Sequence, residues 1–161
     1  MKKLITIIIG LLALSCSTDN KNVLDSGNYD VGLSFKVTSV DGTDLLNPNN
    51  PNSFLKENIK IYYIKNNVKI EVYDPNLDNP RNFSVVPPSQ SGLNYYYFGI
   101  ALNSQTLENA ITIIEWDNTD SDTIRANFDA GNNYILLSKA WYNEVLVLDN
   151  NTNTIPIIIK N

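Results

Sequence analysis

The stretch that decides the fold is Ile59-Lys60-Ile61-Tyr62-Tyr63-Ile64-Lys65-Asn66-Asn67-Val68-Lys69-Ile70-Glu71-Val72-Tyr73. Ile59, Ile61 and Tyr63 alternate with Lys60, Tyr62 and Ile64. Beyond the asparagine pair, Val68, Ile70 and Val72 alternate with Lys69, Glu71 and Tyr73. A period of two sends successive side chains to opposite faces of a strand. Residues that are β-branched or aromatic suit such a half-buried, pleated surface. Asparagine tolerates the positive φ of a tight turn. The segment therefore predicts a β-hairpin turning at Asn66-Asn67.

The same period continues on both sides. Toward the N-terminus, Val31, Leu33, Phe35 and Val37 alternate with small or polar residues. An Asn-, Pro- and Asp-rich connection then follows, in which Leu45, Leu46 and Phe54 are expected to plug the core. Toward the C-terminus, Phe83–Val86 is a short strand stopped by Pro87-Pro88, which points to a sheet edge. Asn94–Leu102 is a strand with an aromatic run. Ala110–Trp116 and Asp122–Phe128 form a second hairpin around residues 117–121. Asn133–Trp141 and Glu144–Leu148 form a third around Tyr142-Asn143, and Thr154–Lys160 closes the chain. No helical period of useful length intervenes, and parallel neighbours would need crossover helices. The expectation is an all-β domain, an antiparallel β-sandwich of immunoglobulin-like or transthyretin-like type with about nine strands. A closed β-barrel is the second choice.

Ahead of this domain, Lys2 and Lys3 precede an apolar run from Leu4 to Leu14, and Ala13-Leu14-Ser15 leads into Cys16. A charged start, an apolar stretch too short to span a bilayer and small residues at the end describe an export signal. The segment before Cys16 is close to a lipobox, although leucine stands at Leu12 and Leu14 rather than three places before the cysteine. Cys16 is the only cysteine of the chain, so it cannot form an intramolecular disulfide. Residues 1–15 are read as a lipoprotein signal peptide, Cys16 as the lipidated residue, 16–29 as a flexible tether and 30–161 as the β-sandwich. A diacylglycerol thioether and an amide-linked palmitate would together supply the more than one chain that stable anchoring needs.

From Cys16 onward ten basic residues face seventeen acidic ones, a net charge of −7. That balance argues against nucleic-acid binding and against electrostatic docking on anionic lipid. Histidine is absent, which removes the commonest general base and metal ligand. There is no Ser/His/Asp or Cys/His set, no zinc cluster and no glycine-rich phosphate loop. The chain reads as non-catalytic and free of cofactors.

Four segments carry a resemblance: Asp44-Leu45-Leu46-Asn47-Pro48, Ile59-Lys60-Ile61-Tyr62-Tyr63, the run from Trp116 to Ile124, and Lys139-Ala140-Trp141-Tyr142-Asn143. Over roughly Asp30 to Trp141 the chain is similar to a group of small cell-envelope lipoproteins common in Bacteroidota. The resemblance implies a lipid-anchored envelope protein, in the outer membrane and facing the periplasm or the surface, and it brings no catalytic residues. Ser17-Thr18-Asp19 resembles, in reduced form, the surface-export tag of that phylum.

Three surface features are candidates for function. Asn118, Asp120 and Asp122 occupy alternate positions, with Asp129 eleven residues after Asn118, a spacing like that of calcium-binding loops. Thr123 stands where such a loop needs glycine, and Asp129 where it needs glutamate, so a polar hairpin turn is the simpler reading. Asp122-Thr123-Ile124 resembles the Asp-Thr/Ser-aliphatic O-glycosylation acceptor of Bacteroidota, which makes Thr123 a candidate. Tyr96, Trp116 and Trp141, among other aromatics, could stack on sugar rings. Alternation forces some of these rings into the core. A protein or glycan is the expected partner, beside the membrane reached through Cys16.

Overall fold

The computed structural model describes residues 27–150 and 154–160. The segment read as a signal peptide, Cys16 and the part of the expected tether before Gly27 lie outside the described residues. Half of the chain is strand, 3% is helix, and two sheets of seven and four strands face one another without closing into a barrel. The sandwich is thus the architecture, and the barrel is not.

In chain order the strands are β1 (Asn28–Asp30), β2 (Gly32–Ser39), β3 (Lys60–Lys65), β4 (Val68–Glu71), β5 (Phe83–Val86), β6 (Tyr97–Ala101), β7 (Ala110–Glu115), β8 (Ser121–Gly131), β9 (Tyr134–Tyr142), β10 (Val145–Asp149) and β11 (Ile157–Lys160). One turn of helix, Pro88–Ser91, joins β5 to β6. The larger sheet runs β1-β9-β8-β7-β3-β4, with β10 also paired to β9; the smaller runs β11-β2-β6-β5. The strand pairs β3–β4, β7–β8 and β9–β10 are the three antiparallel hairpins expected from the alternation.

Two pairs are parallel, β1 with β9 and β11 with β2, against the expectation of a wholly antiparallel sandwich. The crossover constraint binds strands joined by one short connection. β1 and β9 are separated by most of the domain, as are β2 and β11, so the intervening chain itself makes the return. β1 also extends the sheet into Asn28 and Tyr29, which the sequence assigns to the tether. A three-residue polar segment carries no alternation by which it could be read.

Turn chemistry explains the hairpins. Asn66 and Asn67 have φ of 50° and 63°, the two successive left-handed residues of a type I′ turn. The third hairpin turns at Asn143-Glu144 (φ 46° and 65°), one residue later than the sequence suggested. Tyr142 is the last residue of β9 and is buried, so the strand must run one position further before it can turn.

Inward residues of both sheets interlock around three rings that are wholly buried, Phe35, Phe98 and Trp116. Phe35 meets Trp116 and Tyr142 edge-on at 6.5 and 5.5 Å, and Phe54 stacks on Trp116 at 4.7 Å. Leu45 and Leu46 are buried, and their segment is held to β2 by the Thr38–Asp44 bridge. The plug expected between β2 and β3 is therefore in place. On β8 the inward set is Asp122, Ile124, Ala126 and Phe128. One member of that row is an acid.

Candidate functional site

Asp122 stands at the start of β8, where strict alternation points its carboxylate into the sandwich. It is 5% exposed. A buried carboxylate is costly unless it is both paired and hydrogen-bonded, and here donors arrive from four directions. Trp116 Nε1–H donates to Oδ2 at 2.6 Å, and Tyr142 Oη–H donates to the same oxygen at 2.5 Å. Asn143 Nδ2 donates to Oδ1 at 2.6 Å. Lys160 Nζ reaches Oδ2 at 2.5 Å and also Asp120 Oδ1 at 2.7 Å.

Each donor is delivered by a different piece of the fold. Trp116 follows β7 directly. Tyr142 closes β9, and Asn143 is the first residue of the turn that follows. Lys160 comes from β11 in the opposite sheet: it is paired with Ser39 of β2 and therefore shares that residue's inward face. A second contact fixes Asn143, whose Oδ1 accepts the Thr123 N–H at 2.9 Å while the Asn143 N–H donates to Thr123 O. The rings of Trp116 and Phe54 flank Lys160 Nζ at 5.9 and 6.0 Å.

Burial by itself favours the neutral acid, but the donors of Lys160, Tyr142, Asn143 and Trp116 together outweigh it and hold Asp122 below the usual carboxylate range. The Tyr142 phenol is pushed far upward, first by burial and then by the charge of Asp122. It remains a neutral donor at any physiological pH. The cluster is thus an anion held by one cation and three neutral donors, and it joins the two sheets at one end of the sandwich.

The fold does not gather the candidate calcium ligands around one point. Asp122 has its charge compensated by Lys160, Asn118 is exposed, and Asp120 is engaged by the same lysine. Asp129 lies near the far end of β8, where its carboxylate accepts from Asn150. The twelve residues that a calcium loop must coil around one ion are here a turn followed by nine residues of the extended β8. Among the described residues no group of acids is arranged to hold a metal.

Nor do the three aromatics form a platform. Trp116 is a core residue with no exposed surface. Tyr96 packs against the core just before β6, and its N–H donates to Asp44 Oδ2 at 3.1 Å. Trp141 lies on the outer face of the larger sheet, but the Arg125 guanidinium sits 3.9 Å from its ring. Tyr62, on that same face, is capped by Lys69 at the same distance. Thr123 is half-buried on this outer face too, paired with Ile113.

The site that the residues do build could have been partly read from the sequence. The phase of Ile124, Ala126 and Phe128 places Asp122 inward, which marks it as a buried acid rather than a loop ligand. Nothing local connects it to Lys160, 38 residues further on. Comparison of the chain with family models, curated proteins and solved structures gave no match.

Proposed function

We propose that this is a non-catalytic, lipid-anchored accessory protein of the cell envelope, which docks an extended segment of a protein partner along β11. The observation that carries the reading is the character of that edge. Natural sheets protect their edges with charge, proline, bulges or brevity. β4 bears Lys69 and Glu71, β5 ends at Pro87, β10 carries a bulge between Leu146 and Leu148, and β1 has three residues. Among the described residues β11 pairs with β2 alone, and it turns Ile157 and Ile159 to solvent, 60% and 64% exposed. Its one charged residue, Lys160, points inward.

A cavity of about 590 Å³ runs beside it, between the residues of β11 and Val145 and Val147 of β10. An incoming strand could pair with the free edge through its main chain and set alternate side chains into this seam. Glycan binding through stacked aromatics is the weaker reading, because the outer-face rings of Trp141 and Tyr62 are already covered by cations.

Photo-crosslinking in whole cells from position 157 or 159 tests the proposal, with position 77 on the β4–β5 connection as control. One dominant adduct from β11, absent from position 77 and lost when the other of the two isoleucines is changed to lysine, is expected. Equal labelling from all three positions would refute it. The anchor is tested separately by detergent-phase partitioning, which Cys16→Ala should abolish.

A further inference from the structure

We propose that Lys160 and Asn143 become joined by an amide bond that the folded domain makes for itself, with Asp122 moving the protons. One buried carboxylate bridges the two groups: Lys160 Nζ sits on its Oδ2 at 2.5 Å and Asn143 Nδ2 on its Oδ1 at 2.6 Å. Two nitrogens on the two oxygens of one carboxylate stand about 4–5 Å apart. An attack distance of about 3–3.5 Å is then reached by rotation of the lysine chain. The carboxamide to be attacked is already polarised, since its oxygen accepts the Thr123 N–H at 2.9 Å. That same donor is placed to hold the oxyanion of a tetrahedral intermediate.

The step balances without any other reagent. Asp122 Oδ2 takes a proton from the Lys160 ammonium, and the freed amine attacks Asn143 Cγ. The Nζ–Cγ bond forms. Asp122 returns its proton to Nδ2, the Cγ–Nδ2 bond breaks, and a second proton from Nζ follows, so that ammonium leaves and nothing is oxidised or reduced. Asp120, 2.7 Å from Nζ, is a second base in reach for that last transfer. The seam beside β11 is lined by Asp122, Tyr142, Asn143 and Lys160 and offers ammonia a way out. The Lys160 side chain is 12% exposed. The product would bolt the turn after β9 in one sheet to β11 in the other.

Digestion of the full chain with a glutamate-specific protease tests this. Cleavage after Glu115 and Glu144 separates the peptide 116–144 from 145–161 unless a bond joins them. The expected result is a joined species, lighter than the two peptides together by one ammonia, with the link mapped by fragmentation to positions 143 and 160. It should vanish in Lys160→Arg, which keeps the charge, and in Asn143→Gly, which keeps the left-handed backbone. A cooperative melt of each variant shows that the fold is retained. Two free peptides from the unaltered protein would overturn the proposal. A joined species lighter by one water would also overturn it, by placing the bond on Asp120 or Asp122.

Discussion

Replacing Asp122 with Asn is the sharpest probe of the cluster, because it keeps shape and removes only charge and one acceptor. The asparagine oxygen can take the place of Oδ2 and still accept from Trp116 and Tyr142. Its amide group then faces Asn143 Nδ2, donor against donor, and Asn143 cannot flip without surrendering the Thr123 N–H. Lys160 loses its nearer counter-ion but keeps Asp120. Breaking a buried ion pair from one side costs about 3–5 kcal/mol. With Asp120 retained, and one acceptor lost outright, the expected loss is about 3 kcal/mol. For a domain of this size that lowers the melting temperature by about 10 °C.

The pH dependence makes the test specific. Asp122 has its carboxyl held below the ordinary value of 3.8 in the folded state. It therefore contributes stability fully above that value and loses it as pH falls through the lower, folded-state pKa. Urea melts of both proteins between pH 7 and pH 2 should show a gap that is constant near neutrality and narrows below about pH 4. An amide at Lys160 would remove that cation and the Asn143 Nδ2 donor, and with them most of the narrowing, so the melts are read beside the peptide digest. A gap under about 1 kcal/mol at pH 7, or one that does not narrow in acid, would refute the account of the site.

Other expectations follow from neighbouring features. Tyr142→Phe should cost about 1–2 kcal/mol in the same urea assay, since it removes one donor to Asp122 and keeps the ring. On β7, Ile114→Ala should cost about 2–5 kcal/mol and Ile113→Ala about 1 kcal/mol or less, because the first faces the core and the second the outer surface. Glu144→Gly should leave stability unchanged or raise it by up to about 1 kcal/mol: relief of a left-handed residue outweighs an exposed ion pair with Arg125. Millimolar calcium should leave the melting temperature unmoved, as the acids of the β7–β8 turn are already engaged.

Strand periodicity made most of this fold readable. Wherever one face is buried, as in β2, β3, β7 and β8, alternation appears directly in the residues, and Asn66-Asn67 announces its turn. What could not be read is long-range. β1 and β11 owe their pairing to strands more than a hundred residues away, and no local pattern encodes a parallel partner. The cluster fails to announce itself for the same reason. Trp116, Asp122, Tyr142, Asn143 and Lys160 lie on or directly after four strands in two sheets, so their convergence is a property of packing. The aromatic residues misled in the opposite sense. Trp116 looks like a ligand platform by type, yet its position at the end of an inward-alternating strand decides its burial.

The two ends of the larger sheet do different work, and this sets a direction in space. Asn28 pairs with Tyr134 and donates its N–H to Asn133, which puts the incoming chain at the Gly131 end of β8. Asp122 and Lys160 sit at the other end. β8 has eleven residues, a length of about 35 Å at the usual rise of a strand. If lipid on Cys16 fixes the chain to a bilayer, the tether enters the domain at the end farther from the seam beside β11, and the point of attachment leaves that seam clear.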